Sequence, residues 1–153
     1  MSTRAITFLS KKGIPFEVLK YEHEEKGAKF AARATGFSLE QTVKTLVVEL
    51  EYDNYCVALM PGHRELNLKR LAKVFAVKSA AMVDAAAAER LTGYLVGGIS
   101  PFGTKHRLPV VMDKSILNFG QILINAGQRG VMLKMTPNDI LNTLNCRVAE
   151  IAR

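Results

Sequence analysis

The sequence predicts an α/β protein of the α+β kind, in which one mixed β-sheet is flanked by helices. Short apolar segments, typical of strands, are joined by turn residues, and amphipathic segments with helix caps separate them. Because these two kinds of segment follow one another irregularly, a mixed sheet is favoured over a regular doubly wound fold. We expect one domain that covers residues 1–153.

Five segments carry the signals of helices, since apolar residues recur three and four positions apart and a capping residue stands at one end. Asn67 and Asp84 are predicted to cap the third and the fourth of them at the start. Gly13 and Gly93 supply the left-handed residue that ends the first and the fourth. Ser38 and Gln41 form a capping-box pattern that predicts one further short turn. The predicted helices span residues 3–12, 26–35, 68–75, 85–92 and 137–144.

Seven segments rich in apolar and β-branched residues predict strands. The clearest pair is a hairpin, because two apolar segments are joined by Asp53-Asn54 and the second is ended by Pro61-Gly62. A later turn over residues 126–130 joins another pair. The predicted strands span residues 16–21, 44–50, 55–60, 108–112, 121–125, 131–135 and 146–151.

The charge balance is basic, with 21 Lys and Arg against 14 Asp and Glu. Such a surface attracts polyanions, so nucleic acid is a candidate partner, and a merely basic surface is the equal alternative. The chain has no apolar run near the roughly 18 residues that cross a bilayer and no signal-peptide core, which predicts a cytoplasmic protein without a membrane partner. Cys56 and Cys146 lie far apart, so we expect neither a disulfide nor a metal site, and no cofactor.

The glycine-rich segment 97–105 matches neither of the two catalytic signatures that it suggests. A phosphate-binding loop needs lysine before the hydroxyl residue, whereas here Thr104 precedes Lys105. A nucleophile elbow needs glycine two residues after the serine, and Phe102 stands there. The segment therefore offers main-chain N–H groups to a carbonyl or phosphate oxygen, or else forms a plain tight turn.

Lys44 is the lysine that the pattern singles out, because it stands beside Thr45 where a capped turn enters an apolar strand. Its ammonium could point into a cleft and bind a phosphate or a carbonyl, or it could face solvent. His23, His63 and His106 are widely separated, and their spacing fits neither a catalytic triad nor a metal site.

Four segments, in order along nearly the whole chain, carry a family resemblance. They are Tyr21-Glu22-His23, Val43-Lys44-Thr45-Leu46, the glycine-rich run of residues 93–103, and Ala126-Gly127-Gln128-Arg129-Gly130. Together they resemble the YbaK/EbsC family of Cys-tRNA(Pro) deacylases, which is related to the editing domain of prolyl-tRNA synthetases.

The resemblance implies a strongly curved mixed sheet and a pocket for the aminoacylated 3′ end of a tRNA. It implies that Lys44 contacts the terminal adenosine and its phosphate and that Tyr21 lines the site. The main chain of Gly97, Gly98 and Ile99 would hold the aminoacyl carbonyl. In cysteine-specific members the thiol of the substrate attacks the ester, which suits a chain without a triad. The other substrate-binding residues implied are Thr45, His63, Ser100, Pro101, Asn125 and Gly127.

The chain departs from the family pattern at two places near the expected amino-acid position. Asn125 stands where many members carry serine, and Met132 stands where they carry an acidic residue. We therefore expect a Cys-tRNA(Pro) deacylase, with an Ala-tRNA(Pro) or other small-amino-acid deacylase as the nearest variant. A noncatalytic tRNA- or synthetase-binding module, with prolyl-tRNA synthetase as the partner, is the alternative from another class, and a nucleotide-binding regulator is weaker.

Overall fold

The computed structural model describes residues 2–22 and 28–153, and within these residues the chain forms five α-helices and eight strands. The helices are α1 (Arg4–Lys11), α2 (Ala28–Thr35), α3 (Leu68–Val74), α4 (Ala85–Thr92) and α5 (Pro137–Leu144). The strands are β1 (Glu17–Lys20), β2 (Thr42–Leu50), β3 (Tyr55–Pro61), β4 (Ala80–Met82), β5 (Val110–Asp113), β6 (Ile122–Gln128), β7 (Val131–Met135) and β8 (Arg147–Ala149). The predicted α/β class is confirmed.

The helices begin where capping residues were expected. The side chains of Thr3, Asn67, Asp84 and Thr136 each accept a hydrogen bond from a backbone N–H in the first turn of their helix. The predicted start of the second helix at residue 26 lies outside the described residues. The predicted short turn is a 3₁₀ turn at Leu39–Gln41.

The structure differs from the strand predictions at the turn after β6 and at β4. The expected turn over residues 126–130 is shorter, because β6 continues to Gln128 through a register shift that starts at Asn125. The Asn125 side chain accepts the freed N–H groups of Gly127 and Gln128, which lets the strand absorb a bulge. Strand β4 was not predicted, since three residues are too few for a periodic signal.

The strands form one mixed sheet in the order β1-β7-β6-β2-β3-β5-β8. Strands β2 and β3 pair antiparallel along their length, whereas β2–β6, β3–β5 and β5–β8 are parallel pairs. One buried cluster, which includes Leu9 and Phe102, covers one face of the sheet, and another, which includes Leu71, covers the opposite face beneath α3.

The second edge of β2 is shared by two different strands. Strand β6 pairs with β2 at Thr42 and Val43, and β4 pairs with it at Val48–Leu50. Because β3 occupies the other edge of β2, both partners lie on the same side, and residues 44–47 between them have no strand neighbour there. We call this stretch the β2 gap. It opens the interior of the sheet to a ligand.

Candidate functional site

The β2 gap forms one wall of a cavity of about 400 Å³. Residues 82–85 and Ala88 line the cavity on the side where β4 meets β2, and the glycine-rich loop and β6 contribute the rest of this lining. Most of the lining is apolar, supplied by Val, Ile, Leu, Met and Ala side chains. A concave apolar site with a few polar groups is the usual form of a small-ligand pocket.

Lys44 holds its ammonium group at the wall of this cavity. Its Nζ donates a hydrogen bond to the main-chain oxygen of Arg64 at 2.8 Å. Burial lowers the pKa of Lys44 from the ordinary lysine value, and the nearby Glu65 carboxylate raises it in part. The lysine is therefore oriented by the protein, and two of its three N–H donors are left for a ligand.

The main chain of the β2 gap supplies further polar groups. The oxygen of Val47 accepts a hydrogen bond from Val83 N at 3.4 Å, so Val47 directs its main chain to this edge. Alternate residues of a strand face the same edge, so the N–H and C=O of Thr45 face it as well, where neither β6 nor β4 pairs. The hydroxyl of Thr45 is buried without a hydrogen-bond partner among the described residues. This wall therefore presents unused donors and acceptors.

The glycine-rich loop contributes two of the three residues that were predicted to hold a carbonyl. Gly97 and Ile99 line the cavity. Gly98 is buried behind them, and its N–H donates to the Leu95 oxygen at 2.9 Å. A Cβ on Gly98 would lie 2.9 Å from Arg129 N, so only glycine allows the loop to press against the β6–β7 turn.

Asn125 links that turn to the loop. Its Oδ1 accepts from Gly127 N at 2.7 Å and from Gln128 N at 3.1 Å, and its Nδ2 donates to the Gly97 oxygen at 3.4 Å. The Asn125 side-chain amide therefore stabilises the bulge in β6 and also positions the glycine-rich loop. Met132, beside it, lines the cavity with an apolar side chain.

Tyr21 lines the cavity from the segment that follows β1. Its main-chain N–H donates to the Gly130 oxygen at 2.9 Å, which anchors it to the β6–β7 turn. Burial raises the pKa of its hydroxyl, and Arg129 lowers it in part. The hydroxyl therefore stays protonated at neutral pH and can donate a hydrogen bond.

Besides Gly98, four of the sequence-predicted residues lie away from the lining of the cavity. Ser100 and Pro101 are buried within the loop, where Ser100 Oγ accepts from Phe102 N. His63 is exposed on the loop after β3. Gly127 packs against the Tyr94 ring with a φ of 98°. His23 lies outside the described residues. The residues brought together at the lining are Tyr21, Lys44, Thr45, Gly97, Ile99 and Asn125.

Sequence reasoning missed the wall formed by β4 and α4. Of its residues, Asp84 had been recognised only as a helix cap, and its Oδ1 accepts from Ala87 N at 2.8 Å. Lys44 and Asp84 are the charged residues among the described lining residues. The cap pattern could have located Asp84, but nothing local in the sequence places it at the same cavity as Lys44.

The described lining residues include no serine, cysteine or histidine. Cys56 is fully buried on β3, away from the cavity, and burial raises the pKa of its thiol to about 12. The arrangement can bind and polarise a substrate, but it offers no activated protein nucleophile at the lining. Across residues 2–22 and 28–153, no helix is long and apolar enough to cross a membrane.

Replacing Cys56 with alanine is expected to leave the activity of this site within about twofold of wild type, because the thiol is protonated and remote from the cavity. The measurement is kcat/KM, with a thermal melt to show that the variant is folded. Loss of activity in a folded Cys56→Ala protein would mean that a protein thiol takes part in the reaction.

The model of the family described as the aminoacyl-tRNA editing domain matches residues 22–143. A relative from Enterococcus faecalis, provisionally named Cys-tRNA(Pro)/Cys-tRNA(Cys) deacylase EbsC, is 31% identical over 97% of this chain and 92% of its own length. The multifunctional Ser/Thr-tRNA deacylase ProXp-y of Escherichia coli K12 is 28% identical over 86% of this chain and 81% of its own.

A solved structure shares the fold. It is a protein provisionally described as a trans-editing enzyme for prolyl-tRNA synthetase, with a TM-score of 0.90, 24% identity, and coverage of 100% of this chain and 99% of that one. The resemblance to the YbaK/EbsC family is thereby confirmed, and the chain belongs to the family of aminoacyl-tRNA editing domains.

Proposed function

We propose that this chain, as a single domain of residues 1–153, hydrolyses the ester of a mischarged tRNA, with Cys-tRNA(Pro) as the substrate. The observation that supports this function is the β2 gap, where unpaired main-chain groups and one oriented lysine line an apolar cavity. A free-standing editing factor in the cytoplasm, with prolyl-tRNA synthetase as the functional partner, is part of the proposal.

The polar groups of the cavity suit the parts of an aminoacyl-adenosine end. Lys44 would bind the terminal adenosine and its phosphate, since its ammonium is oriented by the Arg64 oxygen. The main chain of Gly97 and Ile99, with that of Thr45 opposite, would hold the ester carbonyl. Tyr21 would line the site beside them. Positioning and carbonyl polarisation then lower the barrier of an ester that is already activated.

The reaction itself needs no protein nucleophile if the substrate carries a thiol. The sulfur of the cysteinyl group attacks its own ester carbon, so a C–S bond forms and the C–O bond to the ribose breaks. The ribose oxygen takes up a proton, and the thiol proton is released to solvent. Water then opens the resulting thiolactone to cysteine. The lack of serine, cysteine and histidine among the described lining residues agrees with this route.

A second substrate class is favoured by one observation. The Thr45 hydroxyl is buried without a partner among the described residues, and it could bond a hydroxyl on the amino acid. A Ser- or Thr-charged tRNA is therefore the second candidate, and the Escherichia coli relative is named for such substrates. Ala-tRNA(Pro) would fill the cavity without using Thr45.

The test is release of amino acid from Cys-tRNA(Pro), Ala-tRNA(Pro), Ser- and Thr-charged tRNA and correctly charged Pro-tRNA(Pro). We expect Cys-tRNA(Pro) to be hydrolysed fastest, and an S-methylcysteine analogue to be hydrolysed at least about a hundredfold more slowly, since its sulfur cannot become a thiolate. Faster hydrolysis of Ser- or Thr-charged tRNA would make these the substrates in place of Cys-tRNA(Pro). If the protein bound tRNA but hydrolysed none of these substrates, the conclusion would be that it is a noncatalytic binding module.

Asp84 is expected to attract the α-ammonium group of the aminoacyl moiety, because it is the acidic residue among the described lining residues. In Asp84→Asn we expect KM to rise about threefold with little change in kcat, a modest effect for an exposed carboxylate. Asparagine caps a helix as well as aspartate does, so α4 keeps its cap.

The control for Asp84 is a substrate whose α-amine is acetylated and therefore uncharged. Wild type and Asp84→Asn are expected to have the same KM for it. If the variant lost affinity equally for both substrates, the carboxylate would act through the structure of α4 and not through the ammonium group.

A further inference from the structure

A second cavity, of about 360 Å³, lies where the carboxyl ends of the parallel strands β3 and β5 meet. Its lining includes Arg64, Arg70 and Lys114, together with Ser115 and Asn118, which carry hydrogen-bonding side chains. We call it the basic pocket. None of these residues lines the first cavity, and the activity proposed above uses the side chain of none of them.

The two arginines are oriented by the protein. Arg64 Nη2 donates to the Arg153 oxygen at 2.8 Å, and Arg70 Nη1 donates to the Ala152 oxygen at 2.9 Å. Each guanidinium has five N–H donors, so most of its donors remain for a ligand. A planar fork that is already held in place loses less conformational entropy when it binds a phosphate group.

The acidic residues of the basic pocket do not cancel its charge. Asp113 is 2% exposed, and its carboxylate accepts hydrogen bonds from the main chain of Ser115, Ile151 and Ala152. The Asp113 carboxylate therefore makes its hydrogen bonds within the protein and stabilises the fold. Glu150 is exposed at the rim, and it is the one acidic group free to oppose three cations among the described lining residues.

Arg64 joins the basic pocket to the first cavity. Its side chain lines the basic pocket, while its main-chain oxygen accepts the hydrogen bond from Lys44 Nζ. Arg64 therefore contacts Lys44 through its main chain and the basic pocket through its side chain. A strand whose terminal phosphate reached Lys44 would have the basic pocket beside it.

We propose that the basic pocket binds phosphodiester groups of the single-stranded 3′ end of the tRNA, upstream of the terminal nucleotide. This inference rests on the proposed function, which places the terminal adenosine beside Lys44. Arginine recognises phosphate with two parallel hydrogen bonds, and the exposed Lys114 adds a charge at the rim. The basic pocket contacts the sugar-phosphate backbone of the tRNA and does not distinguish between bases.

The test compares two substrates in the Arg64→Gln/Arg70→Gln double variant. Glutamine keeps one N–H₂ group for each carbonyl contact and removes the charge. For full-length aminoacyl-tRNA we expect KM to rise about tenfold, kcat to stay within about twofold, and the slope of log KM against log salt to fall by about 1.4, the value for two single-strand phosphate contacts. For aminoacyl-adenosine, which lacks the upstream phosphates, we expect no change, because the substitution keeps the main-chain oxygen of Arg64 that orients Lys44.

Two further variants make the result specific. Lys105→Ala/Arg107→Ala removes the same charge from exposed positions outside both cavities and is expected to change KM less than about twofold. Glu150→Gln removes the opposing charge and is expected to lower KM for full-length substrate. An unchanged KM and salt slope in the Arg64/Arg70 variant, or an equal loss for aminoacyl-adenosine, would overturn the inference.

The outcome separates this inference from the proposed function. If the wild-type protein hydrolysed none of the charged tRNAs, the proposed function would fail, and binding of uncharged tRNA would then be measured in the same variants. Weaker binding in Arg64→Gln/Arg70→Gln, with the Lys105/Arg107 control unchanged, would still support a phosphate site. Equal binding in both would refute it.

Discussion

Substitution of Lys44 by alanine is expected to lower kcat/KM for the mischarged tRNA by about a hundredfold while the protein stays folded. A charge-assisted hydrogen bond to a phosphate or to a developing oxyanion contributes about 3 kcal/mol when it is oriented in advance, which corresponds to a factor of this size. The orientation is provided here by the Arg64 oxygen, 2.8 Å from Nζ. The contribution of Lys44 to folding is small, since it is only half-buried and makes one hydrogen bond.

The pH dependence gives a second readout for Lys44. Burial lowers its pKa, so the ammonium form is lost at a lower pH than for a free lysine, and the activity that depends on the charge falls there. Lys44→Arg keeps the charge, and its profile is expected to lose this alkaline limb. Turnover near the wild-type level in a folded Lys44→Ala protein would remove Lys44 from the mechanism.

Replacing Asp113 with alanine is expected to reduce the free energy of unfolding by about 3 to 5 kcal/mol, because each buried donor left without a partner costs about 1 to 3 kcal/mol. The carboxylate accepts two main-chain N–H groups of the C-terminal segment, Ile151 N at 3.0 Å and Ala152 N at 3.1 Å. It also accepts the main-chain N–H and the hydroxyl of Ser115. All four donors lose their partner at once, and the contacts from the backbone N–H groups of Ile151 and Ala152 are buried.

Denaturant unfolding checks this expectation, with Asp113→Asn as the matched control. Asparagine has the same shape and keeps one oxygen acceptor, so it is expected to cost less than half as much as alanine. A loss below about 1 kcal/mol in Asp113→Ala would mean that water replaces the carboxylate. Because Asp113 also borders the basic pocket, stability must be measured before any effect on tRNA binding is interpreted.

The sequence predicted the parts of the fold that depend on neighbours in the chain. Local sequence patterns predict the helix caps at Asn67 and Asp84 and the hairpin of β2 and β3. The structure has all three where they were expected. Strand β4 escaped prediction because it is defined by its pairing with β2 and not by its own composition. The bulge at Asn125 depends on a side chain that accepts hydrogen bonds from two main-chain N–H groups. The periodicity of apolar residues does not reveal such a contact.

The candidate site was only partly predictable for the same reason. Family resemblance indicated Lys44 and the glycine-rich loop, but not that Gly98 would turn its N–H to Leu95. Asp84 is 40 residues from Lys44 along the chain. It lines the same cavity only because β4 and β6 share one edge of β2. Long-range pairing of this kind leaves no local trace in a sequence.

The β2 gap also sets a length. Val43 is the last residue of β2 that pairs with β6, and Val48 is the first that pairs with β4, through Met82. The five steps between them rise about 3.3 Å each, so the opening is about 16 Å long. Both flanking strands pair with the same strand, so the pairing fixes the length of the opening. A slip of β4 by one residue would turn its side chains to the opposite face. In the proposed deacylase, the side chains within this fixed opening would determine the size of the amino acid that is accepted.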